Sequence, residues 1–345
     1  MRETAAAFQA HCANLRAELD LGPVLRAALA AAHAQDRHKL TTLMARSKRQ
    51  SYVSGIVSLY GLLEESVDRV IVEVADAYAG IFPSYSDLPE RTQALYKELC
   101  LRSLLDKDRV RLREPLNEGA ALHSLASSAS NLQPQLISPV FTYATSNYRF
   151  PYIVELLLRV DVDVKVGLNS SRIEKMMSDA GLNFRGLETF LEDLVTRRNE
   201  VAHSYAHNEA DMLDLDLLRA YLDVVQAFIE DLHRVACERV LRGLLRARLT
   251  SIGKVAHVWS NAIGVDMTAG EIQAPCKVVL LRESTMRVID VQSLQSDGSP
   301  LQGRIQAASD SIALGIAHAG DKVAAGYKGA ETYVLPERWS YLSVF

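Results

Sequence analysis

Arg198 and His203 stand five positions apart in the string Arg197-Arg198-Asn199-Glu200-Val201-Ala202-His203. Histidine is the side chain whose ordinary pKa suits proton transfer near neutrality. Arginine carries a permanent charge on a planar fork that matches phosphate oxygens or a pentavalent phosphorane. Those two residue types suffice to cleave RNA through its own 2′-hydroxyl, with no metal. Asn199 lies four residues before His203, so on a helix the two side chains are neighbours and Asn199 can position either reactive group. Arg197 is a second candidate for a phosphate contact.

The element that must carry these residues is a helix starting after Gly186 and running at least to Tyr205. At about 100° per residue, Leu187, Phe190, Leu191, Leu194, Val201, Ala202 and Tyr205 fall in one sector, with Arg198 at its centre. An arginine centred on an apolar stripe is costly unless a partner takes its charge. Glu192, Asn199 and His203 share an adjoining face. Spacing alone leaves two readings open. Arg198 pairs with a buried carboxylate while His203 caps a neighbour, or both face a cleft or a subunit interface.

Residues 1 to about 249 read as helical. An early helix over about Lys48 to Tyr78 carries the stripe Tyr52, Ile56, Leu59, Leu63, Val67, Val70 and Val74, and Gly80 and Pro83 end it. Shorter helices are expected near Arg91–Asp106, Glu118–Asn131, Tyr152–Val160 and Ser170–Ala180. One long helix or two cover Asp211–Arg248, where glycine and proline are sparse. From Ser251 onward, glycine punctuates short β-branched runs at Lys254–Trp259, Lys277–Leu281, Arg287–Val291 and Ser311–Ile316. Helices followed by clustered strands imply two domains, 1–249 and 250–345.

The motif string and its apolar lead-in from Leu187 resemble the HEPN family, particularly its MAE_28990/MAE_18760-like and RiboL-PSP branches. The aromatic-rich stretch from Tyr52 to Glu64 and Glu65 resembles the early helix of those branches. The resemblance covers roughly residues 45 to 235. It implies a HEPN-type helical bundle; with the strand runs after Ser251, the expected fold is mainly α, that bundle followed by a small C-terminal β-barrel. The resemblance implies a metal-independent endoribonuclease, a toxin or phage-defence effector, with Arg198, Asn199 and His203 catalytic. Arg197 and Glu64 would bind RNA or support the site, Glu64 by orienting Arg198 or His203. It also implies a homodimer with opposed motif helices and an RNA substrate, and it leaves room for an antitoxin. Ser204 stands where many members have glycine. A minority of HEPN domains act as silent RNA- or protein-binding scaffolds.

The segment from Arg287 to Gln302, with Ala307–Ile316 and Glu331–Leu335, resembles the second domain of translational GTPases. That likeness implies contact with structured RNA or a ribosome-associated partner, with Arg282, Arg287 and Arg304 as possible phosphate contacts. A generic small barrel is the plainer reading.

Other chemistries find little support. A net charge of −4 confines any RNA contact to a local patch. The four cysteines form no CxxC pair and no secreted framework, so free thiols in a reducing cytosol are expected. His203 and His207 have a zinc-compatible spacing but lack an adjacent glutamate and a third ligand. Asp161/Asp163 and Asp214/Asp216 read as solvated faces or helix starts rather than Mg²⁺ ligands. No phosphate-cradling glycine motif occurs, and no cofactor is expected. No run approaches the roughly 20 apolar residues that span a bilayer, and the N-terminus lacks signal-peptide order. A cytoplasmic protein without a membrane partner is expected.

Overall fold

The computed structural model describes residues 2–31, 34–106, 116–203, 212–259, 262–283, 285–296, 299–303, 305–306, 311–316 and 325–343. Helices come first: α1 (Arg2–Ala31), α2 (Ala34–Ile81), α3 (Glu90–Leu105), α4 (Glu118–Ala129), α5 (Phe150–Leu158), α6 (Val164–Gly167), α7 (Ser170–Asp179), α8 (Leu187–His203) and α9 (Leu215–Ala247). Strands follow: β1 (Gly253–Val258), β2 (Ala262–Met267), β3 (Glu271–Ile272), β4 (Cys276–Arg282), β5 (Thr285–Ser296), β6 (Ser299–Leu301), β7 (Ile305–Gln306), β8 (Ser311–Ile316) and β9 (Glu331–Leu335). Helices followed by a curled antiparallel sheet are the expected fold class. No helix among the described residues is long and apolar enough to cross a membrane.

Backbone packing divides the chain into two compact units. One comprises Met1–Ala79 with Leu88–Ala236, the other Gly80–Asp87 with Cys237–Phe345. Helix gives way to strand between Ala247 and Gly253.

In the helical unit, every residue of the α2 stripe from Tyr52 to Val74 is buried. Leu187, Phe190, Leu191, Leu194 and Val195 of α8 are buried too, as are Tyr221, Leu222, Val225, Phe228, Ile229 and Leu232 of α9. Phe190 and Tyr221 meet ring to ring at 4.8 Å, which joins α8 to α9. Helix starts are fixed by side chains that accept otherwise orphaned amides. Asn117 accepts from Ala120 N at 2.9 Å, Asp163 from Lys165 N at 3.0 Å, and Asp214 from Leu217 N at 2.8 Å. Two aspartates of the candidate Mg²⁺ pairs, Asp163 and Asp214, are therefore helix caps. Gly181 closes α7 at φ 71°, a left-handed conformation that suits glycine.

In the second unit, the sheet order is β4-β9-β1-β2-β8-β5-β6, with β4 also pairing β5. The twelve-residue β5 makes this possible. Its first part pairs β4 from Thr285 to Val291, and its second part pairs β8 from Val291 to Gln295. The ladder thus closes on itself around Val255, Ile263, Val265, Val278, Leu280, Ile289, Val291 and Leu294.

Candidate active site

The motif helix α8 is anchored at its start by its apolar face, and at its middle by a polar clamp. Arg197 Nε donates to Asp193 Oδ2 at 2.6 Å, one turn earlier. The same carboxylate oxygen accepts the Tyr221 hydroxyl at 2.6 Å, and the other end of the Arg197 fork reaches Tyr52 OH at 3.4 Å. Burial alone lowers the Arg197 pKa, but the Tyr52 hydroxyl and the Asp193 carboxylate reverse this and raise it. Burial and then Asp193 raise the pKa of Tyr221. Arg197 therefore links α8 to α2, and Asp193 links it to α9.

Arg198 has a different setting. Its guanidinium carbon lies 4.9 Å from the centre of the Tyr60 ring of α2, within cation–π range. Its Nη1 donates to Asn199 Oδ1 at 3.1 Å. Arg198 is half-buried, neither solvated nor sealed in the core. It lines a cleft of about 1270 Å³. Gly61, Glu64, Glu65 and Asp68 of α2 form one wall, and the segment from Ala144 to Tyr152 supplies the other. The cleft is large enough for nucleotide-sized groups.

Local chemistry shapes this cleft. Tyr60, Glu64 and Asp68 recur every four residues, so they share one face of α2. Tyr60 OH accepts the Tyr148 amide at 3.0 Å. Burial first, with Glu64 adding to it, pushes the Tyr60 phenol up to about 12. The Tyr148 hydroxyl donates to Asp68, and burial and then that carboxylate raise its pKa strongly. Both phenols are therefore protonated at neutral pH. Tyr152 packs edge-on against Tyr148 at 6.0 Å. Glu65 is paired with Arg69 at 2.7 Å, and Arg149 at the cleft rim pairs with Glu192 of α8 at 3.0 Å. A Cβ built on Gly61 would meet nothing within 4 Å, so the space beside this wall is open.

Of the residues singled out by sequence, Arg198 and Glu64 line the cleft together. Asn199 is half-buried and holds Arg198. His203 is exposed in the last turn of α8 and does not line the cleft. Val201 is half-buried and Ala202 exposed, so the apolar stripe of α8 fades in that turn. Ser204, Tyr205 and His207 lie outside the described residues, as does Arg304. Arg282 is exposed and donates to the Gly326 carbonyl, and Arg287 is half-buried. Sequence reasoning did not single out Tyr60, Asp68, Tyr148, Arg149, Tyr152 or the Asp193–Tyr221 pair. The four-residue recurrence of Tyr60, Glu64 and Asp68 was the available signal for the first two.

A family model described as RiboL-PSP-HEPN matches residues 31–238. No curated protein and no solved structure matches the chain.

Proposed function

The chain belongs to the RiboL-PSP-HEPN family, and from that membership and the cleft geometry we propose that it is a metal-independent endoribonuclease. One observation carries this reading: Arg198, seated on Tyr60 and held by Asn199, opens into a nucleotide-sized cleft and makes no ion pair with a carboxylate among the described residues. In this reading the Arg198 fork binds the scissile phosphate and stabilises the charge that builds on its oxygens. His203 takes the proton of the RNA 2′-hydroxyl or gives one to the leaving 5′-oxygen. Attack of the 2′-oxygen on phosphorus breaks the bond to the 5′-oxygen and leaves a 2′,3′-cyclic phosphate. Asn199 positions Arg198. Glu64 sits beside Tyr60 and helps to set the face on which Arg198 rests. Arg197 holds the helix through Asp193 and Tyr52 while remaining a cation near the phosphate.

His203 lies about 140° around the helix from Arg198 and roughly 7.5 Å along it. One chain cannot easily bring both to one phosphate. A homodimer with opposed α8 helices would supply both groups to a composite cleft, because a two-fold interface repeats the same patch on each partner. An effector role in toxin–antitoxin or phage defence is the biological setting that fits, with an antitoxin as restraint and the C-terminal barrel as a contact for structured RNA or a ribosome-associated partner. A cytoplasmic location accords with that setting.

A second reading is a silent RNA- or protein-binding scaffold, whose protein-binding form is favoured by the carboxylates of Glu64, Glu65 and Asp68 along the cleft wall, which repel phosphate. The experiment that separates the two is incubation of the purified chain with total RNA in EDTA. Cleavage that ends in 2′,3′-cyclic phosphates and vanishes in His203→Ala supports the nuclease. Binding without cleavage supports the scaffold.

A further inference from the structure

The outer face of the C-terminal sheet carries an aromatic feature that the nuclease reading does not use. Trp259 is 49% exposed, whereas Trp339, the second tryptophan of the sequence, is buried. His257 lies against Trp259 with ring centroids 5.6 Å apart and planes 27° apart. Both rings lie on one face of β1 and the residue that follows it because of a bulge. The register skips from Val255 opposite Val265 to His257 opposite Gly264. The extra residue at position 256 shifts the alternation, so that His257 and then Trp259 are exposed while Val255 stays in the core.

Gly264 is the neighbour that makes the arrangement possible. A Cβ there would sit 3.1 Å from the Trp259 ring, so alanine would push the ring by a few tenths of an ångström and a bulky side chain would displace it. The rows continue across the sheet by register. Gly264 lies opposite Ala313 and Ala262 opposite Gly315 on β8. Beyond them, Ala313 lies opposite Gln295 and Gly315 opposite Ser293 on β5, where both are exposed. Two strands at small-residue positions therefore separate an aromatic wall from an amide and a hydroxyl. The indole tip lies over Gly264 of β2, so the open span from it to β5 is two strand spacings, roughly 10 Å. That accommodates a flat heteroaromatic ring with one face or edge against Trp259 and its polar edge toward Gln295.

We propose that this outer face of β1, β2, β8 and β5 binds an unpaired nucleobase of single-stranded RNA, stacked on Trp259 and His257. A base is favoured over a protein side chain because the far end offers hydrogen-bonding groups in place of an apolar pocket. Lys254, exposed on the same face of β1, supplies one cation, and Asp266 lies opposite it, so the surface is close to neutral. Stacking therefore dominates and sequence is read weakly, as on other single-strand platforms. Binding should depend on salt far less than a phosphate-driven interface does.

The test uses the full chain and a mixed-sequence 2′-O-methyl oligoribonucleotide. The probe has no 2′-hydroxyl and so cannot be cleaved by the proposed nuclease, which keeps the two readings separable. Saturable quenching of tryptophan emission is expected. Trp259→Ala should abolish the quenching and raise Kd, read by anisotropy of a labelled probe, by at least about five-fold. Gly264→Leu should raise Kd comparably while keeping the indole, which covers the case in which Trp259→Ala fails to fold. Unchanged emission on saturation with oligonucleotide would overturn the proposal and leave the platform to a protein partner. Equal affinity for a duplex of the same sequence, or a Kd within two-fold of the parent in both variants, would overturn it as well.

Discussion

Arg198 and His203 sit five residues apart on one helix, yet they meet different surroundings. His203 is exposed, so His203→Ala should leave the melting temperature within about one degree, since surface substitutions cost little. Cleavage in EDTA should nonetheless fall below detection. Arg198 rests on the Tyr60 ring, and removing it by Arg198→Ala should cost about 0.5–1 kcal/mol of stability besides activity. Arg198→Lys restores the charge but not the fork, so its cleavage rate should stay near that of Arg198→Ala. A lysine variant at full rate would rule out two-pronged phosphate contact. The pairing of Arg197 with Asp193 was not readable from the string, because the reach of Tyr52 and Tyr221 depends on how α2 and α9 pack. Arg198 looked costly on an apolar sector. A cleft and an aromatic face satisfy it where a buried carboxylate was the alternative, a distinction that side-chain spacing alone does not hold.

α2 is the element that builds the cleft, and Gly61 is its test position. Glycine in a helix interior costs about 1 kcal/mol relative to a good helix former. The space above Gly61 is open, so Gly61→Leu should raise thermal stability slightly in a melt while its side chain fills the cleft and lowers RNA cleavage at least ten-fold. Unimpaired cleavage in that variant would place the substrate elsewhere. The apolar period of α2 was legible from Tyr52 to Val74 because every stripe residue is core. The helix starts earlier than expected, at Ala34 rather than about Lys48, because its first turns carry no comparable stripe. α1 was not singled out, although Phe8, Cys12, Leu15 and Leu19 recur at helical spacing. It packs by these residues and through polar pairs such as Arg16 with Asp223. In the sheet, β2 escaped notice because Gly264 and Asp266 break its β-branched pattern, and the strand is defined by pairing on both sides.

At the scale of the whole molecule, pH and assembly are the accessible readouts. His233 of α9 is buried, and its Nε2 has no hydrogen-bond partner among the described residues. Burial lowers its pKa below the ordinary 6.5, and Glu73 only partly opposes this. The folded chain therefore keeps the imidazole neutral at pH values where the unfolded chain takes up a proton. Stability from this residue is fully present above about pH 6.5 and is lost as pH falls below it. Denaturant melts between pH 7.5 and 5 should show that loss, and His233→Gln should flatten it. A composite cleft needs two chains, so Arg198→Ala and His203→Ala chains mixed together should complement each other only to a limited extent. The most direct measurement is the rate of cleavage of a labelled RNA in EDTA, per chain, across a dilution series. Cleavage should proceed without metal, and its rate per chain should fall steeply once dilution separates the dimer. A rate per chain that stays constant at concentrations where sedimentation shows only monomer would contradict this, as would cleavage that appears only when Mg²⁺ is added.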